Sequence, residues 1–163
     1  MKKITLLLFL AFAIFFSSNI KAQEYKSAVG IKLGYGLVGT YKKFLNEKAA
    51  IDVFGGITWG NGLAAGAYYL MHTEIPSVDN LSWYWGGGAS FTTHTYGYIS
   101  GSYYELGVSG VLGLDYSFDE FPLNVSVDWA PTFVVLDSYD YINTYNRFRG
   151  GYGALSARYI LGK

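Results

Sequence analysis

The sequence predicts an all-β chain, an eight-stranded antiparallel up-and-down transmembrane β-barrel preceded by a signal peptide, and three observations carry that prediction. Polar and apolar residues alternate with period two through successive runs of about ten residues, the spacing at which side chains of an extended strand fall on opposite faces. With 21 glycines, 19% aromatic residues and no cysteine, the composition is that of a turn-rich β protein without a disulfide framework. The amino terminus has the three parts of an export signal. A length of 163 residues suits one domain.

The chain opens MKKITLLLFLAFAIFFSSNIKAQ. Lys2 and Lys3 precede a greasy run from Ile4 to Phe16, which gives way to Ser17, Ser18 and Asn19 before Ala22. The run is shorter than the roughly 20 residues a spanning helix needs, so it reads as a secretory signal rather than an anchor. Residues 1–22 are assigned to the signal peptide, although Ile20 is larger than the small residue usual three positions before cleavage, and residues 23–163 to a single barrel domain. Cleavage after Ala22 removes Lys2, Lys3 and Lys21, three of twelve basic residues. Nine then stand against twelve acidic residues, a net charge near minus three that does not call for nucleic acid.

Strands are expected over 26–35, 37–45, 49–59, 63–74, 81–91, 102–118, 122–135 and 149–161. In the first, Val29, Ile31, Leu33 and Tyr35 oppose Gly30, Lys32 and Gly34. The second resists assignment because Lys42 and Lys43 occupy both faces, which a lysine near a strand end tolerates by snorkelling. The third sets Ile51, Val53, Ile57 and Trp59 against Asp52, Phe54 and Thr58. The fourth and fifth bring His72 with Glu74, and Trp83 with Trp85. In the sixth, Tyr104, Leu106, Val108, Leu112, Leu114 and Tyr116 oppose Glu105, Ser109 and Asp115. The seventh, PLNVSVDWAPTFVVL, puts Leu123, Val125, Val127, Trp129 and Phe133 opposite Asn124, Ser126, Asp128 and Thr132. The eighth sets Leu155, Ala157, Tyr159 and Leu161 against Ser156 and Arg158.

The connections alternate between short and long. Asn46 to Lys48, Pro76 to Asn80 and Asp119-Glu120 are short, whereas Phe91 to Gly101 and Leu136 to Phe148 are longer; short periplasmic turns and longer external loops are the pattern of outer-membrane barrels. The connections at Tyr35-Gly36 and from Trp59 to Gly62 are tight for external loops. Trp59, Trp83, Trp85, Tyr104, Tyr116 and Tyr159 fall where two interfacial girdles belong, and Pro131 belongs near the outer rim, where a missing backbone donor is tolerated. A membrane barrel shows its apolar face to lipid, so the polar face lines the interior. A soluble sheet would do the opposite.

The segments TYKKFLNEKAAIDVFGGITWG, NLSWYWGGGASF, GVLGLDYSF, PLNVSVDWAPTF and GGYGALSARYIL together resemble the small outer-membrane β-barrel proteins of Bacteroidetes-type bacteria, relatives in architecture of OmpX and of the OmpA membrane domain. The resemblance covers nearly all of the mature chain. Its most specific pieces are the FLNEK turn, the WYWGGG strand and the DWAPTF strand. It implies an eight-stranded barrel placed by the outer-membrane assembly machinery, and it supplies no catalytic motif. Many such proteins end on an aromatic residue; this chain ends Tyr159-Ile160-Leu161-Gly162-Lys163.

The expected function is therefore a monomeric barrel of the bacterial outer membrane, in contact with membrane lipid and lipopolysaccharide, with a structural or surface-interaction role. No cofactor, metal or enzymatic activity is expected. Eight strands leave an interior that side chains fill, so Lys32, Lys42, Asp52, Glu105, Asp115, Asp128 and Arg158 are expected to form an internal salt-bridge network rather than to line an open pore. Arg158 is expected at its centre with Asp128 as neighbour, because its fork takes a carboxylate in two-point fashion. His94, Tyr96, Tyr98, Tyr139, Tyr141 and Tyr145 mark the longer loops as a binding surface, or as packing against lipopolysaccharide. Two alternatives compete. His94 with Ser100, Ser138, Asp137 and Asp140 has the residue types of a hydrolase, as in lipid A-modifying barrel enzymes, and His72 with Glu74 has those of an acid/base pair. An exported lipocalin-like carrier requires Lys32, Asp52, Glu105, Asp115, Asp128 and Arg158 all to face water outside.

Overall fold

A computed structural model describes residues 25–95, 102–138 and 147–162. The assigned signal peptide, residues 1–22, lies outside the described residues. These residues form β1 (Ser27–Leu33), β2 (Gly36–Phe44), β3 (Ala49–Thr58), β4 (Leu63–Glu74), β5 (Leu81–Thr95), β6 (Ser102–Ser117), β7 (Leu123–Trp129), β8 (Thr132–Asp137), β9 (Phe148–Arg149) and β10 (Gly153–Gly162). From β1 to β7 each strand pairs antiparallel with the next, β6 also pairs with β8 and β8 with β9, and β10 pairs with both β7 and β1 to close the sheet. Two staves of the barrel are each made of two segments, β7 with β8 and β9 with β10. The result is a closed, eight-stave up-and-down barrel, in which β9 pairs with β8 alone.

Three boundaries differ from expectation, each for a local reason. β5 runs on to Thr95 and pairs with β6 down to Ser102, so Phe91 to Thr95 is strand where a loop was expected. Its threonines are β-branched and sit well on a pleated surface. The seventh stave breaks at Ala130 and Pro131, since proline has no N–H to give to a ladder. There the Pro131 carbonyl accepts from Gly110 N at 3.1 Å, and the register of β6 against β8 shifts between Leu106 and Gly107. The eighth stave is interrupted by a turn through Gly150 and Gly151 before β10 begins.

The alternation decides the facing of every wall. Ile51, Val53, Val108, Leu112 and Val127 are exposed on the outer surface, and half-buried Val125 shares their parity on β7. Lys32, Lys42, Asp52, Glu105, Asp115, Asp128 and Arg158 are buried inside. In the second strand the two faces separate Lys42, fully buried, from exposed Lys43. This is the reverse of a lipocalin-like carrier, which keeps an apolar interior and sets its charges outside.

Inward glycines make room for inward rings. Gly66 is the register partner of Phe54, and a Cβ there would stand 2.5 Å from the Phe54 ring. Gly113 faces Tyr84 in the same way, at 2.5 Å. Much of the lumen is thus packed by Val38, Phe54, Tyr68, Leu70, Tyr84, Val111 and Ala130. The end that carries the chain termini is closed by Tyr25, Ala28 and Ile160 with Phe44 packed against them.

Candidate functional site

The candidate site is the charged middle of the lumen. Alternation on β1, β2, β3, β6, β7 and β10 aims every second side chain inward, polar and charged ones among them, and barrel curvature brings these together across the axis. Arg158 of β10 is 1% exposed; its Nη2 donates to Asp52 Oδ2 at 3.0 Å and its Nη1 to Ser126 Oγ at 2.7 Å, with longer contacts of 3.4 Å to Asn124 Oδ1 and Thr40 Oγ1. Asp52 also accepts from Lys32 Nζ at 3.0 Å and from the Thr40 hydroxyl. Lys32 in turn reaches Asp128 Oδ2 at 3.3 Å, and Tyr84 donates its hydroxyl to the same oxygen at 2.9 Å.

A second focus lies toward the terminal end. Lys42 Nζ donates to Asp115 Oδ2, and Asn124 Nδ2 donates to Asp115 Oδ1. His72 faces Asp115: its Nε2 stands 3.7 Å from Asp115 Oδ2, and its ring lies between Phe44, at 4.8 Å, and Tyr84, at 4.9 Å. The lysines are further held by aromatic faces, Lys32 over Phe54 and Tyr68 at 5.4 and 5.5 Å and Lys42 over Tyr84 at 4.7 Å. Near the outer mouth, Arg149 Nη2 donates to Glu105 Oε1 at 2.7 Å, and the Tyr103 hydroxyl donates to the same oxygen at 2.8 Å.

The charges balance. Lys32, Lys42 and Arg158 meet Asp52, Asp115 and Asp128 in the middle, and Arg149 meets Glu105 above them. A buried charge without a partner costs several kcal/mol, whereas each of these has an opposite charge, and Arg158, Asp52, Asp115, Asp128 and Glu105 have further hydrogen bonds to neutral groups. Two details depart from expectation: the carboxylate at Arg158 is Asp52 and not Asp128, and the fork divides, Nη2 going to Asp52 and Nη1 to Ser126, instead of gripping one carboxylate at two points. On β7 the register partner of Arg158 is Asn124, which places Asp128 four residues farther toward the mouth, within reach of Lys32. Period-two reading identifies the face but not this register, which barrel shear sets.

Sequence reading missed several members of the network: Thr40, Ser126 and Asn124 as ligands of the charges, Tyr84 as donor to Asp128, and Arg149 as partner of Glu105. Parity already turned Ser126 and Asn124 inward. Thr40 and Tyr84 carry the same signal, lying two residues from Lys42 and from Ser82, both of them buried.

Among the described residues, a small cleft of about 10 Å³ is lined by Lys32, Tyr35, Tyr68, Asp128 and Tyr152 among others, with room for a single water. His94 stacks on Tyr103 at 6.1 Å. Ser138 Oγ accepts from Tyr104 N, and Asp137 lies 3.8 Å from Arg147. Tyr96, Tyr98, Tyr139, Tyr141 and Tyr145, like Ser100 and Asp140, lie outside the described residues. Among the described residues no group of three His, Asp or Glu side chains is arranged to hold a metal ion.

Outside the barrel, aromatic residues gather toward both ends. Tyr41, Tyr69, Trp85 and Tyr159 are exposed toward the terminal end, and Trp59, Phe91, Tyr104 and Phe133 toward the other. Two outward tryptophans give their N–H groups to rim carbonyls, Trp59 to Gly34 at 2.7 Å and Trp129 to Gly150 at 2.6 Å. Their rings stay on the apolar surface with the polar atom satisfied. Compared with family models, curated proteins and solved structures, the chain finds no match.

Proposed function

We propose that the chain is an integral β-barrel of the bacterial outer membrane, exported through a cleaved signal peptide, with a structural or surface-interaction role and without a catalytic centre or an open pore. The observation that carries this reading is the inversion of the barrel: charges and hydroxyls inside, aliphatic and aromatic side chains outside. In water an exterior with Val108, Leu112, Val127, Trp129 and Leu155 all half exposed is an aggregation surface. In hydrocarbon it is the favourable one, and closure of the sheet pairs the first strand with the last. The balanced network plugs the lumen at mid-height, which supports a stabilising role for the interior rather than conduction. Likeness of the FLNEK, WYWGGG and DWAPTF segments to small outer-membrane barrels of Bacteroidetes-type bacteria supports the same placement. Insertion would then rest on the outer-membrane assembly machinery, with membrane lipid and lipopolysaccharide as the surroundings.

Cell fractionation tests the reading. Recovery from outer membranes only with detergent, as a band whose gel mobility changes on heating, is the expected result. Release of the mature chain as a soluble periplasmic protein would overturn it.

A further inference from the structure

The rim at the terminal end is divided by charge. Lys26, Lys43 and Lys48 are all exposed and lie together on the arc formed by β1, β2 and the turn into β3. Ser27 is the register partner of Lys43, and the Phe44 N–H bonds the Lys26 carbonyl at 2.9 Å, so Lys26 is next in the chain to the residue that pairs with Lys43, at the same end of the barrel. Lys48 is set beside them by an Asn46 turn, in which Asn46 Oδ1 accepts from Lys48 N at 2.9 Å and from Ala49 N at 2.7 Å. Glu47, also exposed, is the one acid on this arc among the described residues. Across the rim, the turns between β4 and β5 and between β6 and β7 carry Glu74, Asp79, Asp119 and Glu120, with no lysine or arginine among the described residues there.

Height matters as much as sign. Lys43 shares the outward face of β2 with Leu37 and Tyr41, and it stands two residues beyond Tyr41 toward the terminal end, about 7 Å along the strand. If the ring of Tyr41 marks the interface, the Lys43 ammonium reaches the level of lipid phosphate. A cation on a lipid-facing position is costly in hydrocarbon, and here it is displaced to the depth where an anion is available.

We infer that the arc of Lys26, Lys43 and Lys48 is a binding surface for the phosphate headgroup of an anionic phospholipid in the leaflet at the terminal end, while the acidic arc opposite repels the same lipid. The inference rests on the outer-membrane reading above, which makes that leaflet the periplasmic one. The barrel therefore carries an asymmetric lipid collar, anionic lipid on β1 to β3 and zwitterionic lipid on β4 to β7.

Native mass spectrometry of the full mature barrel, released from nanodiscs of equal phosphatidylglycerol and phosphatidylcholine, reads the preference directly. The expected result is selective retention of phosphatidylglycerol by the wild type at low salt, reduced about fivefold for each lysine removed and lost in Lys26→Gln/Lys43→Gln/Lys48→Gln. Raised salt should abolish it. The three side chains are exposed, and heat-modifiable gel mobility checks that the variant is folded. A companion variant, Glu74→Gln/Asp79→Asn/Glu120→Gln, changes net charge by the same amount on the other arc. Equal retention by the wild type and the lysine variant would overturn the inference, and so would a lysine-variant loss fully restored by adding the acidic-arc changes, since net charge rather than position would then be at work. A barrel that fractionates to the outer membrane yet shows no lipid preference refutes this inference alone; one that never reaches that membrane refutes the reading beneath it.

Discussion

Replacing Arg158 by methionine tests the reading of the interior most directly. The side chain is 1% exposed and holds Asp52 and Ser126 closely, with Asn124 and Thr40 at 3.4 Å. Methionine keeps an apolar stem of similar length, so the change removes charge and hydrogen bonds more than volume. The middle cluster then has Lys32 and Lys42 against Asp52, Asp115 and Asp128, a surplus of one buried negative charge. Removing one partner of a buried ion pair costs about 3 to 5 kcal/mol. Asp52 retains Lys32 at 3.0 Å and the Thr40 hydroxyl, which places the expected loss at the lower end, about 3 kcal/mol, or on the order of a hundredfold in the unfolding equilibrium. The assay is reversible urea unfolding of the barrel in phospholipid vesicles, followed by tryptophan fluorescence. Adding Asp52→Asn brings the cluster back to two cations against two carboxylates, so the double variant should recover at least half of the loss. A single-variant loss under about 1 kcal/mol, or losses that simply add in the double variant, would refute the charge-balance reasoning.

Three further outcomes follow from the same geometry. Gly113→Ala places a Cβ 2.5 Å from the Tyr84 ring, whose hydroxyl serves Asp128, and should cost about 1 to 3 kcal/mol, whereas Gly110→Ala, with nothing within 4 Å of its Cβ, should stay within about 0.5 kcal/mol; urea midpoints compare the two. A fluorophore on cysteine at Val108 should be quenched by lipid-borne nitroxide, while one at neighbouring Ser109, 3% exposed, should be shielded, and the opposite order would invert the barrel. Replacing residues 139–146 by a short Gly-Ser linker should leave a heat-modifiable barrel, because closure is completed by strand pairing; loss of folding would make that loop structural.

Much of the barrel was legible in the sequence because a strand has a period of two and a closed sheet has an inside and an outside. Alternation alone places Asp52, Asp115, Asp128 and Arg158 on one face and Val53, Leu112, Val127 and Tyr159 on the other, whatever the partners turn out to be. Turn-forming clusters such as Leu45 to Lys48 and Ile75 to Asn80 separate the staves, since short polar segments with asparagine or proline cannot continue a ladder. What only the tertiary structure decided is who meets whom. Arg158 found Asp52 on β3, across the lumen, instead of Asp128 on the adjoining β7, and Lys42 found Asp115 on β6, because strand tilt and shear set the height at which facing side chains meet. A one-dimensional pattern records the face of each residue and the order of the staves. Register around a closed barrel is a property of all the pairings at once, so the partners of the charges emerge only when the last strand closes on the first.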